Sequence, residues 1–317
     1  MRVLPFIPYF LECGDLDEVF DIIIIGGGPA GLTAATYARR SGKNVLVIEK
    51  NAFGGQITWS PRVENFPTVI SASGAELGDR MLEQAMEQGA EVELEEVVSL
   101  EKEDNIFSVK CESGKVFKAL SVIAATGAKP RMLNIEHEDK LVGNGVCFCA
   151  VCDGAFYKGR SVAVNGGGNS ALQDALLLSE KCEKVYLIHR RDSFRGEAAL
   201  VEALQKKENV EFLMNASINS LIGENELTGI KITQNGIDRE ISVDGLFVAI
   251  GHQPQNGIFA PFISLTDSGY ADSDESCLTD TDGLFVAGDC RKKSVRQLTT
   301  AVADGAVAAL AACAYLG

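Results

Sequence analysis

Two stretches of this chain, far apart in sequence, impose the same local fold. Asp21 to Ile25 is dominated by isoleucine, the pattern of a strand buried on both faces. It runs into Gly26-Gly27-Gly28-Pro29-Ala30-Gly31, and a small-residue segment from about Leu32 to Ser41 then reads as a helix. Ser161 to Asn165 repeats the strand ahead of Gly166-Gly167-Gly168-Asn169-Ser170-Ala171, followed by a helix through Leu178. A strand that ends in G-x-G-x-x-G or G-x-G-x-x-A and opens a helix is a dinucleotide-binding turn. Its glycines let a pyrophosphate approach the backbone, and the helix N-terminus supplies positive potential. Gly26, Gly28, Pro29, Ala30 and Gly31 form one candidate cradle; Gly166, Gly168, Asn169, Ser170 and Ala171 form the other. Repetition in like context amounts to duplication of a dinucleotide unit. The expected fold is therefore α/β, with two Rossmann-like, three-layer domains, for which 317 residues suffice.

The two units differ after their second strands. In the first, Asn44 to Ile48 leads to Glu49 and Lys50, about twenty residues beyond the glycines, where a carboxylate accepts hydrogen bonds from a ribose diol. In the second, Val185 to Ile188 leads to His189-Arg190-Arg191, with Arg195 four residues later. A basic cluster in place of the acid suits a ribose 2′-phosphate, because each guanidinium can pair bidentately with phosphate oxygens. The first site therefore suits a ribose without that phosphate, as in FAD, and the second suits NADPH.

Between the two turns lies Cys149-Ala150-Val151-Cys152-Asp153-Gly154. Two thiols at this spacing can close a small disulfide ring, a flanking aspartate can carry a proton, and a glycine permits a tight turn. Alone, C-x-x-C is shared by redox pairs and half zinc sites. Its place between two nucleotide turns favours electron transfer. The nine cysteines are an odd number and mostly dispersed, which fits a reducing compartment and not a secreted disulfide framework. Cys147, two residues before the pair, is expected as a buried free thiol. The net charge of −15 argues against a nucleic-acid partner.

Gly54-Gly55-Gln56 and Val63-Glu64-Asn65-Phe66-Pro67 are loops whose amides can line the polar edge of a flat ring, although a turn or cap explains them equally well. Residues 74–89 read as a helix with Leu77, Met81, Leu82, Ala85 and Met86 on its core face. Ser121 to Ala125 reads as a strand ending at Thr126-Gly127, and Phe247 to Ile250 as the strand that closes the second unit. Gly283 to Val286 reads as a strand leading to Gly288-Asp289, where an acid can accept from a ribityl hydroxyl. Arg296-Gln297 then precedes an alanine-rich helix through Ala314. No apolar run is expected to reach membrane-spanning length. The first residues carry two prolines and no small-x-small cleavage site, so they read as an extension packed on a cytoplasmic protein.

Taken together, these motifs resemble those of the low-molecular-weight, NADPH-dependent thioredoxin reductases, class II pyridine nucleotide-disulfide oxidoreductases. The resemblance rests on Gly26 to Gly31, Gly54 to Gln56, Val63 to Pro67, Ala125 to Ala128, Cys149 to Gly154, Gly166 to Ala171, His189 to Arg195, Gly288-Asp289 and Arg296-Gln297, and it spans about residue 20 to the end. The larger glutathione- and lipoamide-type reductases use a C-terminal histidine, and no histidine follows His252 here. The resemblance implies a homodimer whose second domain is inserted into the first. FAD would be held by 21–130 and 253–317, NADPH by 131–252, and 1–20 would be an extension. It implies that hydride passes from NADPH to FAD and electrons pass on to Cys149–Cys152. Cys152 would face the flavin, Cys149 would attack the disulfide of thioredoxin or a thioredoxin-like protein, and Asp153 would shuttle the proton. It further implies rotation of the inserted domain. Ferredoxin-fed relatives and flavin-dependent dithiol oxidases are the alternatives; those usually lack the second glycine turn and the basic cluster, both present here. A flavin-binding scaffold with structural thiols is a third class.

Overall fold

The computed structural model describes residues 19–317, so the expected extension lies, up to residue 18, outside the described residues. Two compact units result: 19–55 with Gly78–Gly127 and Asn256–Gly317, and Gln56–Leu77 with Ala128–Gln255.

In the first unit, β1 (Val19–Ile25) leads through the first glycine turn into α1 (Pro29–Arg40) and on to β2 (Val45–Glu49). Helix α2 (Gly74–Glu87) returns the chain to β3 (Glu91–Leu94), parallel to β2. Strands β4 (Val97–Glu103), β5 (Ile106–Cys111) and β6 (Val116–Ala124) then form an antiparallel meander whose last strand lies parallel to β1. Alternation along β1 decides the layering. Ile22 and Ile24 enter the helix-side core with α1, while Ile23 and Ile25 enter the opposite core with Phe107 and Val109 of β5. Each fully buried isoleucine contributes about 1.5–3 kcal/mol, so this strand is committed on both faces. On α2, Ala85 is buried and Met81 and Leu82 pack against the core, but Met86 is half exposed. It lies one step past the 77–81–85 stripe, so the core face is narrower than the spacing of apolar residues implies.

The second unit follows. After β7 (Ala128–Pro130) come the short α3 (Glu138–Leu141), β8 (Val146–Cys147) and α4 (Ala150–Asp153). Then β9 (Ser161–Asn165), α5 (Asn169–Ser179), β10 (Lys184–His189), α6 (Ala198–Gln205) and β11 (Val210–Met214) build the repeat. A three-stranded antiparallel sheet, β12 (Ala216–Ile222), β13 (Gly229–Gln234) and β14 (Ile237–Ser242), precedes β15 (Gly245–Val248) and β16 (His252–Pro254), which pairs with β7. The parallel sheet has the order β11-β10-β9-β15-β8. Val162 and Val164 face the α5 side and Ala163 faces the antiparallel sheet, the same two-sided burial as in β1. Each unit is thus a three-layer sandwich around a largely parallel sheet, the α/β class expected.

Back in the first unit, β17 (Leu284–Val286) pairs with the last residues of β6, and α7 (Leu298–Leu316) closes the chain against α1. Among the described residues α7 is long and apolar enough to cross a membrane, contrary to the expectation that no run would be. Its apolarity comes from alanines that allow close helix packing. A Cβ on Gly305 would lie 2.2 Å from the Ala30 carbonyl oxygen, and Asp304 is buried in an ion-pair network.

Candidate functional site

The first glycine turn is shaped by close approaches. Gly26 has φ +113°, and a Cβ there would stand 2.3 Å from the Ala125 carbonyl oxygen; at Gly31 a Cβ would meet the Gly26 oxygen at 1.9 Å. Gly28 is the N-cap of α1 with Pro29 next, and no side chain caps the helix, so its first amides remain available to an anion. Glu49 accepts from the Gly27 amide at 2.8 Å and from the Asn51 amide at 2.9 Å, which fixes the acid beside the turn. Lys50 forms a solvent-exposed ion pair with Glu96 at 3.2 Å. Ala30 is buried, and Gly288 (φ +80°) crosses it so closely that a Cβ would meet the Ala30 methyl at 2.9 Å.

Around this cradle, three buried polar atoms have no hydrogen-bond partner: Thr126 Oγ1, Asp289 Oδ1 and Arg296 Nε. Burial raises the Asp289 carboxyl above its ordinary range, with Lys293 and Arg296 opposing. The Arg296 guanidinium stacks 4.2 Å above the Tyr270 ring, and Gln297 forms a capping box with Thr300 at the start of α7. Gly127 (φ +66°) completes the turn after β6. Uncompensated polar atoms at depth cost of order 1–3 kcal/mol each, and three together mark a place for a polar ligand. Gln56 and Asn65 belong to the second unit, where the Gln56 amide donates to the Ala128 carbonyl at 2.9 Å and Asn65 is exposed.

Sequence reading did not single out Asp304. Its carboxylate accepts from the Gly288 amide at 3.0 Å, from Arg291 Nε and Nη2 at 2.8 Å each, and from Lys293 Nζ at 2.8 Å. Burial works to raise its pKa, but Arg291 and Lys293 overcome this and hold it below the usual carboxylate range. The network ties the Gly288-Asp289 turn to α7. The only hint in the sequence is an acid inside an otherwise apolar helix. Cys290 is fully buried against the Ala287 and Ala124 carbonyl oxygens, and burial pushes its thiol upward.

In the second unit Cys149 and Cys152 are joined by a disulfide, with 5.3 Å between Cα atoms. Cys149 caps α4, and its Sγ accepts the Cys152 amide at 3.1 Å. Asp153 closes that turn, and burial raises its carboxyl to about 6, while a hydrogen bond from Cys147 acts to lower it. Val151, between the two cysteines, is 60% exposed, so the turn faces outward.

The second glycine turn is built like the first. A Cβ on Gly166 would meet the Ala249 oxygen at 2.4 Å and the Ala171 methyl at 2.6 Å, and Gly168 starts α5 without a side-chain cap. The Asn169 amide exchanges hydrogen bonds with Glu197 at 2.8 Å, Ser170 is exposed and Ala171 is fully buried. His189 does not join the basic surface. Its ring is buried above Gly167, bonded through Nε2 to the Ser193 carbonyl at 3.1 Å and stacked on Phe194 at 5.3 Å. Burial first, then the neighbouring arginines, lower its pKa, so it is neutral near pH 7. Arg190, Arg191 and Arg195 are exposed, and none is in an ion pair among the described residues. Three uncommitted guanidiniums in the unit that holds this uncapped helix N-terminus are free to pair with an anion.

Comparison with known proteins places these features in context. A family model described as pyridine nucleotide-disulphide oxidoreductase matches residues 20–305. A Clostridium pasteurianum sequence described as a 34.2 kDa protein in the rubredoxin operon is 39% identical over 304 residues, 95% of this chain and 98% of its own. The Listeria monocytogenes thioredoxin reductase is also 39% identical, covering 95% of both chains. Among solved structures, the thioredoxin reductase of Streptococcus pyogenes MGAS5005 superposes with a TM-score of 0.89 at 34% identity, over 94% of this chain and 98% of that one.

Proposed function

We propose, from the premise that this chain belongs to the pyridine nucleotide-disulphide oxidoreductase family and within it to the low-molecular-weight thioredoxin reductases, that it passes electrons from NADPH through FAD and Cys149–Cys152 to the disulfide of thioredoxin or a thioredoxin-like protein. The observation that carries this reading is the outward-facing disulfide turn, flanked by a partly buried proton carrier, in the same unit as an arginine-rich nucleotide turn.

The residues of the first unit fit FAD. The free amides of α1 and Glu49 suit its diphosphate and ribose, while Thr126, Asp289 and Arg296 offer the unpartnered polar atoms its ring system and ribityl chain would satisfy. When bound, a flavin converts the hydride chemistry of a nicotinamide into electron delivery to a disulfide. Arg190, Arg191 and Arg195 would hold the 2′-phosphate of NADPH, with its pyrophosphate on α5. We assign FAD to the first unit and NADPH to the second.

Within the disulfide turn, Cys149 is the thiol that attacks the protein substrate. Its Sγ accepts the Cys152 amide, and a hydrogen bond to sulfur favours the thiolate that nucleophilic exchange needs. Cys152 is the electron-accepting partner, and Asp153 gives a proton as the ring opens and takes it back as the ring re-forms. A carboxyl held near 6 can do both at neutral pH. The ferredoxin-fed alternative has no use for the exposed arginines.

The protein is expected in the cytoplasm, where thiols such as Cys111, Cys147 and Cys182 stay reduced. Helix α7 serves as a core helix on α1. Its outer face carries exposed Val307, Leu310 and Tyr315, which a second copy of the chain would cover in a homodimer. The assignment is tested by C149S and C152S. Each should abolish turnover with thioredoxin while the bound flavin is still reduced by NADPH; turnover surviving either change would overturn these roles.

A further inference from the structure

Two residues before the disulfide stands a buried thiol that the proposed chemistry does not use. Cys147 closes the edge strand β8, opposite Phe247 of β15, and its Sγ lies 3.3 Å from the Tyr157 hydroxyl. Tyr157 is held from two sides. Its ring packs edge-on against Phe247 with centroids 5.4 Å apart, and it fills the space that a side chain at Gly245 would need, where a Cβ would come within 2.5 Å of it. Cys147 and the Asp153 carboxyl also act on each other: the thiol lowers the carboxyl, and the carboxyl raises the thiol. The directions within the chain are consistent: the tyrosine O–H donates to sulfur, and the thiol S–H donates to the carboxylate.

Resting on the function proposed above, we infer that Cys147 is a positioning residue: its thiol, oriented by Tyr157, donates to the Asp153 carboxylate and so sets where in pH that group gives and retakes the proton of the redox cycle. The step balances. Two electrons from the reduced nicotinamide donor, which leaves oxidised, break the Cys149–Cys152 bond. One sulfur takes the Asp153 proton and becomes a thiol, and the other becomes a thiolate, leaving Asp153 ionised. The thiolate then attacks the substrate disulfide. The remaining thiol returns its proton to Asp153 and displaces the mixed disulfide, and the two thiolates released on the substrate take protons from solvent. Cys147 itself never ionises, since burial first and the nearby Asp153 charge second push its thiol up to about 12. Its role is to stabilise the carboxylate at the moment when that charge exists in a partly desolvated place.

Other charges near the group act elsewhere. Arg160 acts on Tyr157. Asp174 of α5, the helix packed against α4, is raised to about 6 by burial alone. For Asp153, burial is the larger influence and Cys147 the opposing one, so losing the thiol donor lets the carboxyl rise.

The test is an infrared titration of the protonated-carboxyl band in the oxidised holoenzyme, with D153N identifying the band, alongside the pH profile of thioredoxin reduction by pre-reduced enzyme. C147A should move the Asp153 titration and the acidic limb of the profile upward by about half to one pH unit, the modest span expected of a weak thiol donor. C147S, which restores a donor, should return both to the wild-type position. Y157F should shift them the same way by less, and it decides the matter alone if C147A does not fold. An Asp153 titration unmoved in both C147A and Y157F overturns the inference. A wild-type enzyme that fails to reduce thioredoxin overturns the function instead, and the infrared titration still reports on Cys147.

Discussion

Removing the Asp304 carboxylate should be the most damaging single change in the first unit outside the glycine turns. One buried carboxylate accepts four hydrogen bonds, three of them from the charged side chains of Arg291 and Lys293, which are themselves only 4% and 5% exposed. In D304A both cations stay buried and lose their counter-charge. Breaking one partner of a buried pair costs about 3–5 kcal/mol, against about 1 kcal/mol for a surface pair. At roughly 2–4 °C per kcal/mol for domains of 150–250 residues, D304A should lower Tm by about 10 °C. The sign with pH follows from the depressed carboxyl. Its contribution is complete above the unfolded aspartate value of about 3.9 and is lost as pH falls through the lower folded value, so wild type and D304A should converge in acid. Urea unfolding of both proteins at neutral and acidic pH measures this directly. A neutral-pH difference under about 1 kcal/mol, or one that grows in acid, refutes the claim that this network clamps the Gly288-Asp289 turn.

Three further outcomes are expected. Replacing Arg190, Arg191 and Arg195 by alanine should raise KM for NADPH roughly tenfold or more per productive phosphate contact while leaving KM for NADH nearly unchanged; equal losses for both donors would contradict the 2′-phosphate assignment. G31A should prevent folding of the first unit or cost more than about 3 kcal/mol, since its methyl would sit 1.9 Å from a backbone oxygen, and near-wild-type urea stability would show the turn to be looser than described. V307E combined with L310E should convert a dimer to monomers in sedimentation, and an unchanged mass would remove α7 from the interface.

Much of this was readable from the chain because the decisive constraints are local. Where a Cβ would stand within 2–3 Å of a backbone oxygen only glycine fits, so Gly26, Gly31 and Gly166 announce their turns in sequence. The acid after β2 and the arginines after β10 stand at strand ends, where position alone aims them. What was hidden depends on contacts between distant segments. Asp304 gains its role only once α7 lies over the Gly288 turn, and Tyr157 reaches Cys147 because its ring is held by Gly245 and Phe247, about ninety residues away. His189 read as part of the basic cluster, yet its ring is buried against Gly167 because an imidazole can be buried neutral where a guanidinium cannot. The ion pair of Lys50 with Glu96 was equally hidden, since that partner arrives only as the chain reaches β4.

The most direct test of the whole account is an anaerobic titration of the purified yellow protein with NADPH and, separately, NADH, followed by oxidised thioredoxin. Bleaching of the flavin band by NADPH in preference to NADH, with colour returning in step with thiols formed on thioredoxin, is the predicted result. A protein that carries no flavin, or whose reduced flavin is not reoxidised by thioredoxin, would contradict it.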